Sequence, residues 1–106
     1  MPKYLFQASY TPEGARGILK DGGSQRRQAV EELVKSMGGK VEAFYFAFGE
    51  SDAVAIVDVP DNGTVAAHAL AINASGAVHL KTTVLLTPKE IDDGVAGPLV
   101  YRAPGQ

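Results

Sequence analysis

From Tyr4 to Tyr10 the chain alternates. Tyr4, Phe6, Ala8 and Tyr10 fall on one side and Leu5, Gln7 and Ser9 on the other, the period of two that belongs to a strand. Thr11-Pro12-Glu13 then predicts a helix start, with a hydroxyl cap, proline at the first helical position and an acid in the first turn. Gly22-Gly23 interrupts this first helical piece, and Ser24 is placed to cap its continuation. Val30, Leu33, Val34 and Met37 mark the apolar stripe of that continuation, which Gly38-Gly39 closes. Val41 to Phe48 is predicted as the second strand, with Phe44, Phe46 and Phe48 on one face. Gly49-Glu50-Ser51-Asp52 reads as a turn and Ala53 to Val59 as the third strand. Asp61 is a cap for a helix reaching about Ser75, with Val65, Ala69 and Ile72 inward. Val78 to Leu86 is the fourth strand, and Thr87-Pro88-Lys89-Glu90 is a capping box for a short last helix.

The order is βαββαβ. A short link between strands two and three makes them an antiparallel pair. Two right-handed crossovers put both helices on one side of a four-stranded antiparallel sheet of order 4-1-3-2. The expected class is therefore α+β, ferredoxin-like, as a single domain over residues 1–106. The bulkiest sets, Tyr4/Phe6/Ala8, Phe44/Phe46/Phe48 and Val78/Leu80/Val84/Leu86, are assigned to the helix side. For the third strand, Val54/Ile56 and Ala53/Ala55/Val57 are both open choices. The other side then carries Leu5, Gln7 and Ser9, Val41, Ala43, Tyr45 and Ala47, and His79, Lys81, Thr83 and Leu85. It holds too much apolar area to lie comfortably in water, which predicts pairing with a second copy.

Composition narrows the function classes. Ten Lys and Arg against twelve Asp and Glu give a net charge of -2, so no general basic face for nucleic acid is expected. Cysteine is absent, which rules out disulfides, thiolate catalysis and Cys-ligated metal. The start has no basic region followed by a long apolar stretch, and no apolar run approaches a membrane span. A cytoplasmic protein with no membrane partner is expected.

The chain resembles the GYD-domain family of small bacterial and archaeal proteins. The resemblance rests on Tyr4 through Gly14 (YLFQASYTPEG), Gly22 through Arg27 (GGSQRR), Lys40 through Gly49 (KVEAFYFAFG), Asp52 through Val59, Lys81-Thr82-Thr83 and Leu86-Thr87-Pro88. It implies a ferredoxin-like fold of the dimeric α/β-barrel type and homo-oligomerisation, and no established reaction. The family's glycine–tyrosine–aspartate element falls here on Gly49-Glu50-Ser51-Asp52, with serine in the place of the tyrosine.

Two constellations could carry chemistry. On the uncovered sheet face, Gln7, Ser9, Tyr45, His79 and Lys81 form a candidate ligand-binding set. Within it His79 is a candidate base, Lys81 a holder of a carboxylate or enolate, and Tyr45 an orienting donor. At the second helical piece, Gly23, Ser24, Arg26 and Arg27 form a candidate anion site. Each has a plainer alternative, as surface or interface polar groups and as solvated or paired arginines. His68, on or beside the second helix's stripe, reads as a packed, hydrogen-bonded histidine. Asp52 reads as a carboxylate accepting backbone N–H bonds in its turn. No metal site and no cofactor is expected from these patterns. The reading is an oligomeric module binding a small molecule, an anion or a protein. The alternatives are a cofactor-independent isomerase or monooxygenase with His79 as base, and a purely structural assembly subunit.

Overall fold

The computed structural model describes residues 1–106. The elements are β1 (Lys3–Tyr10), α1 (Pro12–Asp21), α2 (Gly23–Ser36), β2 (Lys40–Phe46), β3 (Ala53–Asp58), α3 (Asn62–Ala74), β4 (Val78–Leu85) and α4 (Pro88–Val95). One sheet of order β2-β3-β1-β4 contains all four strands, every neighbouring pair antiparallel. Read from its other edge, this is the expected 4-1-3-2 ferredoxin-like sheet.

The helix starts follow the caps. The Thr11 side chain accepts from Gly14 N at 3.3 Å, and its hydroxyl donates to Gly76 O at 2.8 Å. That second bond draws α1 against the entry to β4. A side chain at Gly14 would overlap the Ala77 carbonyl oxygen, so only glycine permits the approach. Asp61 accepts from Thr64 N at 2.8 Å, and Thr87 with Glu90 completes the capping box of α4. Ser24 does not recap the chain. Gly22, at φ 83°, donates its N–H to Ile18 O at 2.8 Å and also heads α2, which has no side-chain cap. One residue in the left-handed region serves both helix ends, so Ser24 already lies inside the first turn of α2.

The core lies between the sheet and α2 and α3. Tyr4, Phe6, Phe44, Ala53, Ala55 and Val57 meet Val34, Met37 and Val65. The third strand thus turns Ala53, Ala55 and Val57 to the helices and leaves Val54 and Ile56 on the bare face. Three sequence expectations fail here. Val41 is not on the bare face: a bulge between Val41 and Ala43 leaves Glu42 unpaired, and Val41 sits opposite buried Val57. A single extra residue reverses the facing of everything before it. The second strand ends at Phe46, because Ala47 N–H turns back to Asp52 O at 2.8 Å, and Phe48 stands fully exposed. Phe46 itself is 44% exposed, packed edge-on against Phe44 at 5.2 Å beside the start of α2. Val84 and Leu86 also stay more than half exposed, since β4 is an edge strand and α3 lies along its first half. There Asn73 pins the free edge, its amide oxygen accepting from Leu80 N at 2.7 Å.

Candidate functional site

The bare sheet face is built by register. Gln7 lies opposite Lys81 on one side and Val54 on the other, and Val54 lies opposite Tyr45. Tyr45, Val54, Gln7 and Lys81 therefore form one row across four strands. Ser9 opposite His79 starts the next row towards the β3 entry. All five predicted ligand-binding residues share the face, with Leu5, Ile56 and Ala43 as half-buried apolar neighbours. They do not converge in one chain. Tyr45 and Lys81 are separated by three strand spacings, roughly 14 Å. Tyr45 is 69% exposed, and His79 and Lys81 also stand in solvent. Ser9 is engaged locally, its hydroxyl donating to Glu50 O at 3.3 Å.

At the far end of the same face lies a charged cluster that sequence patterning missed. Lys3 Nζ is 2.8 Å from Asp58 Oδ1 and 2.9 Å from Glu42 Oε2. The hydrogen bonds to Asp58 and then Glu42 hold the Lys3 ammonium above its ordinary pKa. Asp58 is buried, and Glu42 reaches the cluster because the bulge frees it from the ladder. The signal was present only in register, since 55 residues separate Lys3 from Asp58.

The predicted anion set divides between two clefts. Gly23, Ser24 and Arg27 line a shallow one of about 400 Å³ with Tyr45 and Phe46. There Arg27 is already paired, Nε to Glu31 Oε1 at 2.9 Å one helical turn on. Arg26 points the other way. Its guanidinium lies 5.9 Å from the centre of the Tyr10 ring, a cation–π arrangement. Together they bound a cleft of about 390 Å³ between α1 and α2, also lined by Glu13, Gly17 and Asp21. Tyr10, Arg26 and Val78 line as well a narrow apolar cavity of about 50 Å³ under α2, among Val30, Leu33, Ile72 and Leu80. Tyr10's place is legible in the β1 alternation. Arg26's is legible too, four residues before Val30 on the α2 stripe.

The remaining polar groups serve the fold. Asp52 accepts a backbone N–H, but from Tyr10 across the sheet at 2.8 Å and not from its own turn. His68 is half-buried and its ring Nδ1 donates to Thr64 O at 2.8 Å. Tyr4 O–H donates to Asn62 Oδ1 at 2.6 Å. Burial, and then the Asp61 charge, push the Tyr4 phenol above its ordinary range. The backbone and side-chain hydrogen bonds from Thr64 at the α3 cap hold the Asp61 carboxyl below its own. No helix is long and apolar enough to cross a membrane.

A protein from Thermus thermophilus, named glutamine synthetase and cystathionine beta-lyase binding protein, is 29% identical over 82 residues, covering 77% of this chain and 85% of the relative. No solved structure gives a significant match. The model of the GYD domain matches residues 4–95, from the first buried tyrosine of β1 to the last residue of α4, and the chain belongs to the GYD-domain family.

Proposed function

We propose that this chain is a cytoplasmic, homo-oligomeric binding module whose partners are other proteins, metabolic enzymes of the kind its relative is named for. The observation that carries the reading is the bare sheet face. Leu5, Ala43, Val54, Ile56 and Leu85 form a half-buried apolar field, interleaved with Gln7, Thr83 and Lys3, on a side that no helix of the chain shelters. Such a field calls for a partner surface, and twofold pairing of identical patches is the commonest solution. A second apolar surface is left for the other protein. Helix α4 makes no substantial packing contact with any other element, and from it onward the chain exposes Ile91, Val95, Leu99, Val100 and Tyr101. A binding role also accords with the spread of His79, Lys81 and Tyr45, which leaves no assembled acid–base set within one chain.

The test has two arms. Sedimentation equilibrium of the purified chain is expected to give a dimer or higher oligomer at micromolar concentration. Calorimetric titration into glutamine synthetase and cystathionine β-lyase from the same source is expected to give saturable binding to one of them, lost when residues 88–106 are removed. A monomer at all concentrations overturns the self-pairing. An oligomer that binds neither enzyme overturns the choice of partner.

A further inference from the structure

We propose that the Tyr10–Arg26 cleft binds a small carboxylate carrying a short apolar tail, a function independent of the protein-docking surfaces above. Three observations meet at this place. First, Arg26 is a cation without an anionic partner: it takes part in none of the four ion pairs, and its Nε is buried with no hydrogen-bond partner. A buried guanidinium N–H left unbonded is costly, and a carboxylate is the group whose geometry satisfies it. Second, Arg26 stands at the junction of two spaces, since it and Tyr10 line both the open cleft of about 390 Å³ and the apolar cavity of about 50 Å³ beneath α2. A head group at Arg26 therefore has room on the solvent side, and a chain of a few carbons has room on the other. That inner cavity, walled by Val30, Leu33, Ile72 and Leu80, offers water almost no polar partners, so aliphatic carbon is its natural filling. Third, the mouth is lined by Glu13 and Asp21, neither of which is in an ion pair. Two carboxylates facing the entrance disfavour a bare anion and favour one that also carries an ammonium group. An apolar α-amino acid supplies carboxylate, ammonium and tail in one molecule; a short fatty or 2-oxo acid supplies two of the three.

The neighbouring arginine supplies the control. Arg27 pairs with Glu31 and faces the shallow cleft on the other side of α2. Gly17 supplies a second one. It lies in the middle of α1, lines the cleft, and a Cβ there would meet nothing within 4 Å. A large side chain at that position plugs the mouth without disturbing the packing.

Isothermal titration of the full chain with leucine, 4-methylpentanoate, 3-methylbutan-1-ol and acetate tests the site. Leucine or 4-methylpentanoate is expected to bind, with the alcohol and acetate far weaker. Tighter leucine assigns its ammonium to Glu13 and Asp21; tighter 4-methylpentanoate assigns the site to simple carboxylates. Arg26→Gln is expected to weaken the bound acid by roughly tenfold to a hundredfold, the worth of a hydrogen bond to a charged group. Arg27→Gln is expected to leave it unchanged, and Gly17→Phe to abolish it with an unaltered circular dichroism spectrum. The proposal is overturned if neither acid binds, if acetate or the alcohol matches the tighter of the two acids, or if Arg26→Gln and Arg27→Gln weaken binding equally. Should Arg26→Gln fail to fold, retention of full affinity by Gly17→Phe overturns it alone.

Discussion

The two faces of the sheet are made of the same strands and teach different things. On β3, Val57 is fully buried against the helices, while its neighbour Ile56 lies half-buried on the bare side. The pleat separates them completely, so adjacent residues answer to different partners. The helix side closes around its core within one chain, with only Phe46, Val84 and Leu86 left open at its edges. The bare side becomes a core only when something else covers it.

The sharpest way to break this comparison is to place the same charge on each face. Val57→Asp buries an unpaired carboxylate in the aliphatic core and is expected to cost more than about 4 kcal/mol, enough to prevent folding of a small domain. Ile56→Asp is expected to leave the monomer folded, within about 1 kcal/mol of the parent, while a twofold interface would set the two introduced charges near one another. Its dimer dissociation constant is expected to rise by about 100-fold. Urea unfolding followed by circular dichroism reads the first effect and sedimentation the second. Equal loss of fold in both variants would mean that the bare face is core in the single chain as well.

A gentler version uses β2. Phe44 is buried and Tyr45 is exposed on opposite sides. Phe44→Ala is expected to cost about 3–5 kcal/mol through lost burial and the cavity left behind. Tyr45→Ala is expected to change monomer stability by no more than about 0.5 kcal/mol. Denaturation midpoints at unchanged slope check both values. If Tyr45→Ala proves the costlier in the assembled protein and not in the dissociated chain, the tyrosine belongs to the interface.

The sequence made most of this frame readable because local signals agreed. Caps at Thr11, Asp61 and Thr87, the glycine at position 22 and the β1 alternation each pointed to one topology. What escaped was whatever depends on register. The bulge at Glu42 turned Val41 inward, and no local pattern marks an unpaired residue. Phe48 looked like a continuation of the aromatic face, yet the ladder closes at Ala47. The candidate site was legible as a list and not as an arrangement. Gln7, Ser9, Tyr45, His79 and Lys81 do share a face, but strand order decides distance, and it holds Tyr45 three strands from Lys81. Arg26 and Arg27 are neighbours in sequence, and the helix, advancing about 100° per residue, sends them to different clefts.

Lys3 and Tyr4 carry the face comparison into pH. Both side chains hold their protons more tightly than usual, and for opposite reasons. On the helix side, burial and the Asp61 charge disfavour the Tyr4 phenolate. On the bare side, hydrogen bonds to Asp58 and Glu42 favour the Lys3 ammonium. The sign is the same for both. Above the ordinary values of 10.0 for Tyr and 10.5 for Lys, the unfolded chain releases a proton that the folded chain still holds. Unfolding then gains with every further rise in pH, so stability present at neutral pH is lost on the alkaline side. Tyr4→Phe removes the titration and the bond to Asn62, lowering stability at pH 7 by about 1 kcal/mol and flattening the alkaline limb of melting temperature against pH. Lys3→Gln is expected to flatten the same limb less, because its side chain is 35% exposed and screened by solvent. Salt separates the two causes: added sodium chloride is expected to erase much of the Lys3→Gln difference and little of the Tyr4→Phe one. An alkaline limb equally steep in all three proteins would mean that neither proton is held by the fold.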